Sequence, residues 1–76
     1  MNLAFAKLLR EYRRRVGLTQ EGLARRTDLS VDAIAGFERG RRSTPHVNTL
    51  RRLVEALQLT SAERDELLYA ADQRAP

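Results

Sequence analysis

The apolar residues of this chain fall into short stripes at the three- and four-residue spacing of a helix, and five such stripes account for nearly all of it. Phe5, Leu8, Leu9, Tyr12 and Val16 stand at i, i+3, i+4, i+7 and i+11, one side of a helix from about Leu3 to Val16. Gly17 follows as its C-terminal cap. Thr19 offers a capping hydroxyl to a second helix, "QEGLARRT", whose inward residues are Leu23, Ala24 and Thr27. Gly22 inside that helix costs about 1 kcal/mol relative to alanine. Asp28 stands where the chain must turn, and Asp tolerates the left-handed conformation better than most residues. Leu29 plugs the turn, Ser30 caps a third helix with Ile34 and Phe37 inward, and Gly40 ends it.

The segment "RRSTP" reads as a basic loop closed by Pro45. A fourth helix carries Val47, Leu50, Leu53, Val54 and Leu57 at helical spacing. A fifth opens on a capping box, Thr60 with Glu63 three residues on. The expected fold is therefore all-α, one five-helix domain over residues 1–72. Residues 73–76 are expected to fray, and a larger portion would join there. A chain of 76 residues buries only about 60% of the surface it exposes when unfolded, so one small core must serve every helix.

The charge is unevenly spread. Residues 1–52 hold 12 basic and 5 acidic side chains, a balance of +7, while residues 53–76 hold 2 and 5, a balance of −3. Thirteen of the fourteen basic residues are arginine, whose planar fork suits phosphate. Such a field suits a polyanion as well as it suits a salt-bridged helical surface.

Other chemistries find little support. There is no cysteine, hence no disulfide framework and no thiolate metal site. His46 is the only histidine, and a metal site needs three or four converging ligands, so a loop or cap role is expected. Of the acidic cluster Glu63, Asp65 and Glu66, Glu63 completes the capping box, and carboxylates near a helix start offset the helix dipole. Gly36 and Gly40 fit no phosphate-cradling motif. No catalytic grouping, cofactor site or small-molecule site is evident, and a small helical domain has little room for a substrate cleft. At the N-terminus, charges follow and interrupt the apolar residues, unlike a signal peptide, and no apolar run is long enough to span a membrane.

Two short helices joined by a tight turn, the first beginning "TQ", have the layout of a helix-turn-helix. Ala24 is small where the two helices cross, Leu29 anchors the turn, and Ile34 and Phe37 seat the outer helix. That leaves Val31, Asp32, Ala35 and Gly36 pointing outward, able to enter a DNA groove.

Residues 17–60, "GLTQEGLARRTDLSVDAIAGFERGRRSTPHVNTLRRLVEALQLT", resemble the lambda-repressor-like (Cro/CI-type, XRE) helix-turn-helix domains. The signal lies in "GLTQ", "LA", "LS", "FERG" and "TLRRLVEALQL" at these distances, and the flanking helices fit as well. The resemblance implies a five-helix domain, its helix-turn-helix formed by helices 2 and 3, that binds double-stranded DNA as a bacterial or phage-type transcriptional regulator. A cytoplasmic protein, on the nucleoid when bound to DNA, is the matching expectation. Position by position, the resemblance sets the Gln20 amide against a phosphate at the start of helix 2, and Ser30 at the cap of the recognition helix. Val31, Asp32 and Gly36 fall on base-reading positions. Arg39, Arg41 and Arg42, with Thr44 and His46 beyond them, fall where such domains grip phosphates. Arg13 would pair with Glu38 as a structural clamp.

The groove face departs from the family's usual glutamine, arginine, serine or asparagine. Valine reaches a thymine methyl, aspartate accepts from a cytosine amino group, and glycine reads nothing. Direct readout on these residues is thin. A protein-interaction module that kept the fold is accordingly the rival reading. Leu67, Leu68, Tyr69, Ala70 and Ala71 on helix 5 give more apolar surface than one face needs. That suits either packing onto helices 1 and 4 or contact with another domain or a second copy, the latter a homodimer on DNA through Leu67, Leu68, Tyr69 and Ala71.

Overall fold

Each helix among the described residues begins on a side chain that accepts a backbone N–H, so its start is set by its neighbours in sequence. The computed structural model describes residues 2–41 and 45–72. Within them the elements are α1 (Leu3–Arg15), α2 (Gln20–Thr27), α3 (Val31–Glu38), α4 (Val47–Ala56) and α5 (Ser61–Ala71). The caps are Asn2, Thr19, Ser30, His46 and Thr60, and Thr60 and Glu63 close a reciprocal capping box. The architecture is all-helical, as the apolar spacing predicts. Val16 lies just outside α1 as its C-cap.

The helix ends are equally explicit. Four junctions turn through a left-handed residue: Gly17 at φ 76°, Asp28 at 57°, Gly40 at 72° and Gln58 at 53°. After α1, Gly17 N–H bonds the Arg14 carbonyl and Leu18 N–H bonds the Arg13 carbonyl, which satisfies two otherwise orphaned acceptors. The same pair of bonds recurs after α3, from Gly40 to Phe37 and Arg41 to Gly36, and after α4, from Gln58 to Glu55 and Leu59 to Val54. Gln58 takes on a conformation that ordinarily goes to glycine or asparagine, because the turn's hydrogen bonds and the half-buried Leu59 demand it. Gly22 has a different reason to be glycine. A Cβ there would stand 3.3 Å from Thr19 Oγ1, the atom that caps α2, and 3.4 Å from Leu18 Cδ2.

The core is built from Phe5, Leu9 and Tyr12 of α1, Leu23 and Ala24 of α2, Ile34 and Phe37 of α3, Leu50 and Leu53 of α4 with Leu57, and Leu67 and Ala70 of α5. Phe5 meets Phe37 edge to face, ring centroids 6.0 Å apart. α1 packs on α3 and α5, while α2 packs on α3 and α4. The short α3 is thereby wedged between α1 and α2, which decides how little of it remains exposed.

Three expectations from helical spacing are corrected by this packing. Val47, placed on the α4 stripe, is 59% exposed, because Leu50, Leu53 and Leu57 carry the burial and Val47 stands at the helix's open first turn. Leu67 and Ala71, offered as contacts for a second copy, are withdrawn from that role by burial against the core, 0% and 1% exposed, which is the packing alternative for the α5 surplus. Only Leu68 and Tyr69 of that group face outward. The frayed tail expected at 73–76 lies outside the described residues.

Candidate nucleic-acid interface

The α2–turn–α3 unit is assembled by short-range chemistry. Thr19 Oγ1 accepts from Gly22 N–H at 2.9 Å and starts α2. Asp28 turns left-handed, Leu29 N–H bonds the Ala24 carbonyl, and Ser30 Oγ accepts from Ala33 N–H at 3.0 Å to start α3. Thr27, buried, returns its hydroxyl to the Leu23 carbonyl at 2.7 Å. Small, buried Ala24 allows the close approach of the two helices.

On α3 itself, Ala33, Ile34, Ala35, Phe37 and Glu38 are buried. Ala35, expected on the outward face, is corrected by its 8% exposure: on the wheel it lies between Val31 and Asp32, but those two stand at the open first turn of α3, while Ala35 lies one turn on, where α1 and α2 flank the helix. Val31 (41% exposed) and Asp32 remain outside and Gly36 is half-buried. Asp32 also sits in the first turn of α3, where its carboxylate meets the positive end of the helix dipole.

Beyond α3 the chain is held, not loose. Arg39 N–H bonds the Ala35 carbonyl at 3.0 Å, Arg41 N–H bonds Gly36 at 3.0 Å, and Asn2 N–H bonds Gly40 at 3.3 Å. The side chains of Arg39 and Arg41 are exposed. The ion pairs among the described residues are Arg13–Glu38, Arg15–Glu63 and Arg64–Asp65, and none involves Arg39 or Arg41. Arg42 and Thr44 lie outside the described residues. His46 is exposed; its Nδ1 accepts from Asn48 N–H at 3.2 Å, so it serves as the cap of α4.

The third helix is fastened to the first by a buried charge pair. Arg13 Nε and Nη2 donate to the two carboxylate oxygens of Glu38 at 2.6 and 2.9 Å, and Arg13 Nη1 donates to the Leu18 carbonyl at 2.9 Å. Glu38, 5% exposed, also accepts from Gln20 Nε2 at 3.2 Å. Gln20, expected against a phosphate, therefore commits one amide N–H to this clamp, and the second is left for an outside acceptor. The hydrogen bond to Glu38 holds the Arg13 guanidinium above its ordinary pKa, with burial opposing.

Two further contacts have no counterpart in the sequence reading. Asn2, buried, caps α1 by accepting from Phe5 N–H at 3.1 Å and donates to the Ala70 and Ala71 carbonyls at 2.8 and 3.3 Å. One residue thus joins the start of α1, the end of α5 and the bend carrying Arg39 and Arg41. An Asn ahead of an apolar run signals a cap, but nothing local reveals its partners 68 positions away. Arg15 pairs with Glu63 through both guanidinium nitrogens and lies 4.9 Å from the Tyr12 ring centroid. Hydrogen bonds from Arg15 and from the Thr60 backbone lower the Glu63 pKa to about 2. Burial first, then the nearby Glu66 and Glu63 charges, raise that of Tyr12.

An all-helical domain whose second and third helices meet at a left-handed turn, with two exposed guanidinium groups just beyond that no described carboxylate neutralises, is a helix-turn-helix domain by architecture. The chain belongs to the helix-turn-helix domain family, whose model matches residues 4–67. Family membership points to DNA binding in general. No match is found among curated proteins. No helix among the described residues is long and apolar enough to cross a membrane.

Proposed function

We propose that this domain binds double-stranded DNA sequence-specifically as a bacterial or phage-type transcriptional regulator of the lambda-repressor-like group, acting in the cytoplasm. α3 enters the major groove with Val31, Asp32 and Gly36 toward the bases, while Ser30 at its N-terminus and Arg41 in the bend meet phosphates. The observation that carries this reading is the freedom of Arg39 and Arg41. Both are exposed immediately beyond α3, and neither is neutralised by a described carboxylate. Leu68 and Tyr69 are the α5 residues available for pairing two copies on a symmetric operator.

Selection from a random duplex library, followed by titration of the enriched duplex over a range of salt, tests the proposal. Log K should fall against log salt with a slope of about −0.9 for each phosphate neutralised. A slope near zero, or no enrichment, defeats it.

One observation favours a second reading, a protein-interaction module. A largely apolar groove is lined by Val47, Leu50 and Val54 of α4 and Leu68 of α5, together with Arg51, Glu55 and Arg64. Arg41→Glu separates the two readings: DNA binding lost with the fold intact supports the first, and DNA binding unchanged supports the second.

A further inference from the structure

The packing of α3 poses a problem for any sequence-specific reader, since burial of Ala35 leaves Val31, Asp32 and Gly36 as its only outward residues. None of them makes two hydrogen bonds to one base. Resolving it depends on where α3 geometrically ends. Arg39 has φ −93° and ψ −5°, in the right-handed region, and its N–H still bonds the Ala35 carbonyl four residues back. Its Cα therefore continues the screw of α3. Asp32, Gly36 and Arg39 stand at i, i+4 and i+7, on a single face. Arg41, by contrast, follows the left-handed Gly40 and has left that screw.

We propose that Arg39 is the principal base-reading residue of this domain and recognises guanine in the major groove, where family resemblance would assign it to phosphate. This rests on the reading of the domain as a duplex-DNA binder. Four features carry it. A side chain on a helix leans toward the N-terminus over the residues three and four before it. For Arg39 the residue three before is Gly36, which has no Cβ to prop the arginine stem away from the face. The α3 helix, at eight residues, is about 12 Å long, no longer than the major groove is wide, so its last turn stays within reach of base edges. The guanidinium also has no ion-pair partner among the described residues: both oxygens of Glu38 are engaged by Arg13, one of them by Gln20 as well, and Asp32 lies about 10 Å away along the axis, too far to pair. A free arginine fork matches guanine O6 and N7 with two parallel bonds.

The spacing adds a signature. Asp32 accepts from a cytosine amino group, and about 10 Å along the groove is roughly three base-pair steps. The preferred half-site therefore holds a G·C pair read by Arg39 and a second G·C pair, read through its cytosine, about three steps away.

The test compares wild type, Arg39→Ala, Arg39→Lys and Arg41→Ala on the duplex enriched by wild type, on its single-base variants, and on a scrambled duplex. The Arg39 side chain is exposed and has no partner among the described residues, and circular dichroism verifies that each variant is folded. Replacing one guanine should weaken wild-type binding by about 5- to 150-fold. Arg39→Ala should weaken the enriched duplex to a similar degree, bind the scrambled duplex almost as wild type does, and lose preference at that one position. Arg39→Lys should keep the charge and still lose most of the preference, since lysine lacks the fork. Arg41→Ala should weaken every duplex alike. The proposal is overturned if Arg39→Ala weakens enriched and scrambled duplexes equally, or if Arg39→Lys keeps wild-type preference. A wild-type protein that binds no duplex overturns the DNA reading itself, and this inference with it.

Discussion

Replacing Arg13 by methionine should do more damage than replacing its partner Glu38, and the reason is asymmetric. Arg13→Met removes both charged bonds to Glu38 and the bond to the Leu18 carbonyl. It leaves a carboxylate whose side chain is 3% exposed with a single neutral donor, Gln20 at 3.2 Å. An uncompensated buried charge of this kind costs about 3–5 kcal/mol. A domain of this length has about 4–11 kcal/mol of stability in all, so the loss consumes about a quarter of it or more. The opposite change, Glu38→Met, should cost less, about 1.5–3 kcal/mol. Arg13 is 12% exposed, keeps the Leu18 carbonyl, and can turn its head to water. The double replacement removes the stranded charge and should be more stable than Arg13→Met alone. Thermal melts followed by circular dichroism measure all three. At about 4–8 °C per kcal/mol for a domain of this size, Arg13→Met should lower Tm by at least about 12 °C. The reasoning is refuted if the two single variants melt together within a few degrees of wild type, or if the double variant is no more stable than Arg13→Met.

Two other outcomes follow from the geometry. Gln58→Gly should stabilise the domain by about 0.5–1 kcal/mol, the left-handed penalty relieved less the added freedom of glycine when unfolded; an unchanged or lower Tm counts against it. Glu63 should titrate near pH 2 by NMR, and Arg15→Ala should move that midpoint up toward the ordinary 4.5. Because this carboxyl is depressed in the folded state, its contribution to stability is present above about pH 4.5 and is lost as pH falls toward 2.

The elements of this protein are legible because their signals are local. Thr19, Ser30 and Thr60 stand where a cap must stand, and Gly17, Asp28 and Gly40 stand where a left-handed residue ends a helix. Stripes such as Phe5, Leu9 and Tyr12 repeat at the period of the helix they build. A reading of neighbours within four positions therefore recovers the five helices and the α2–α3 unit. It fails at Gln58, whose left-handed turn has no glycine or asparagine to announce it. It fails also at Val47, where spacing alone does not tell the open end of a stripe from its covered middle.

Which α3 residues face outward depended on the neighbours of that helix. Periodicity offers Ala35 to solvent as readily as Asp32, and the flanking α1 and α2 withdraw it. The same holds for Leu67 and Ala71, and for Asn2, whose amide reaches the far end of the chain. Hydrogen bonds within one turn are dictated by residue order, so the order of amino acids determined where each helix starts and stops. Burial depends on which helices become neighbours across long stretches of chain, so only the tertiary structure decided which side chains of those helices remain to meet a partner.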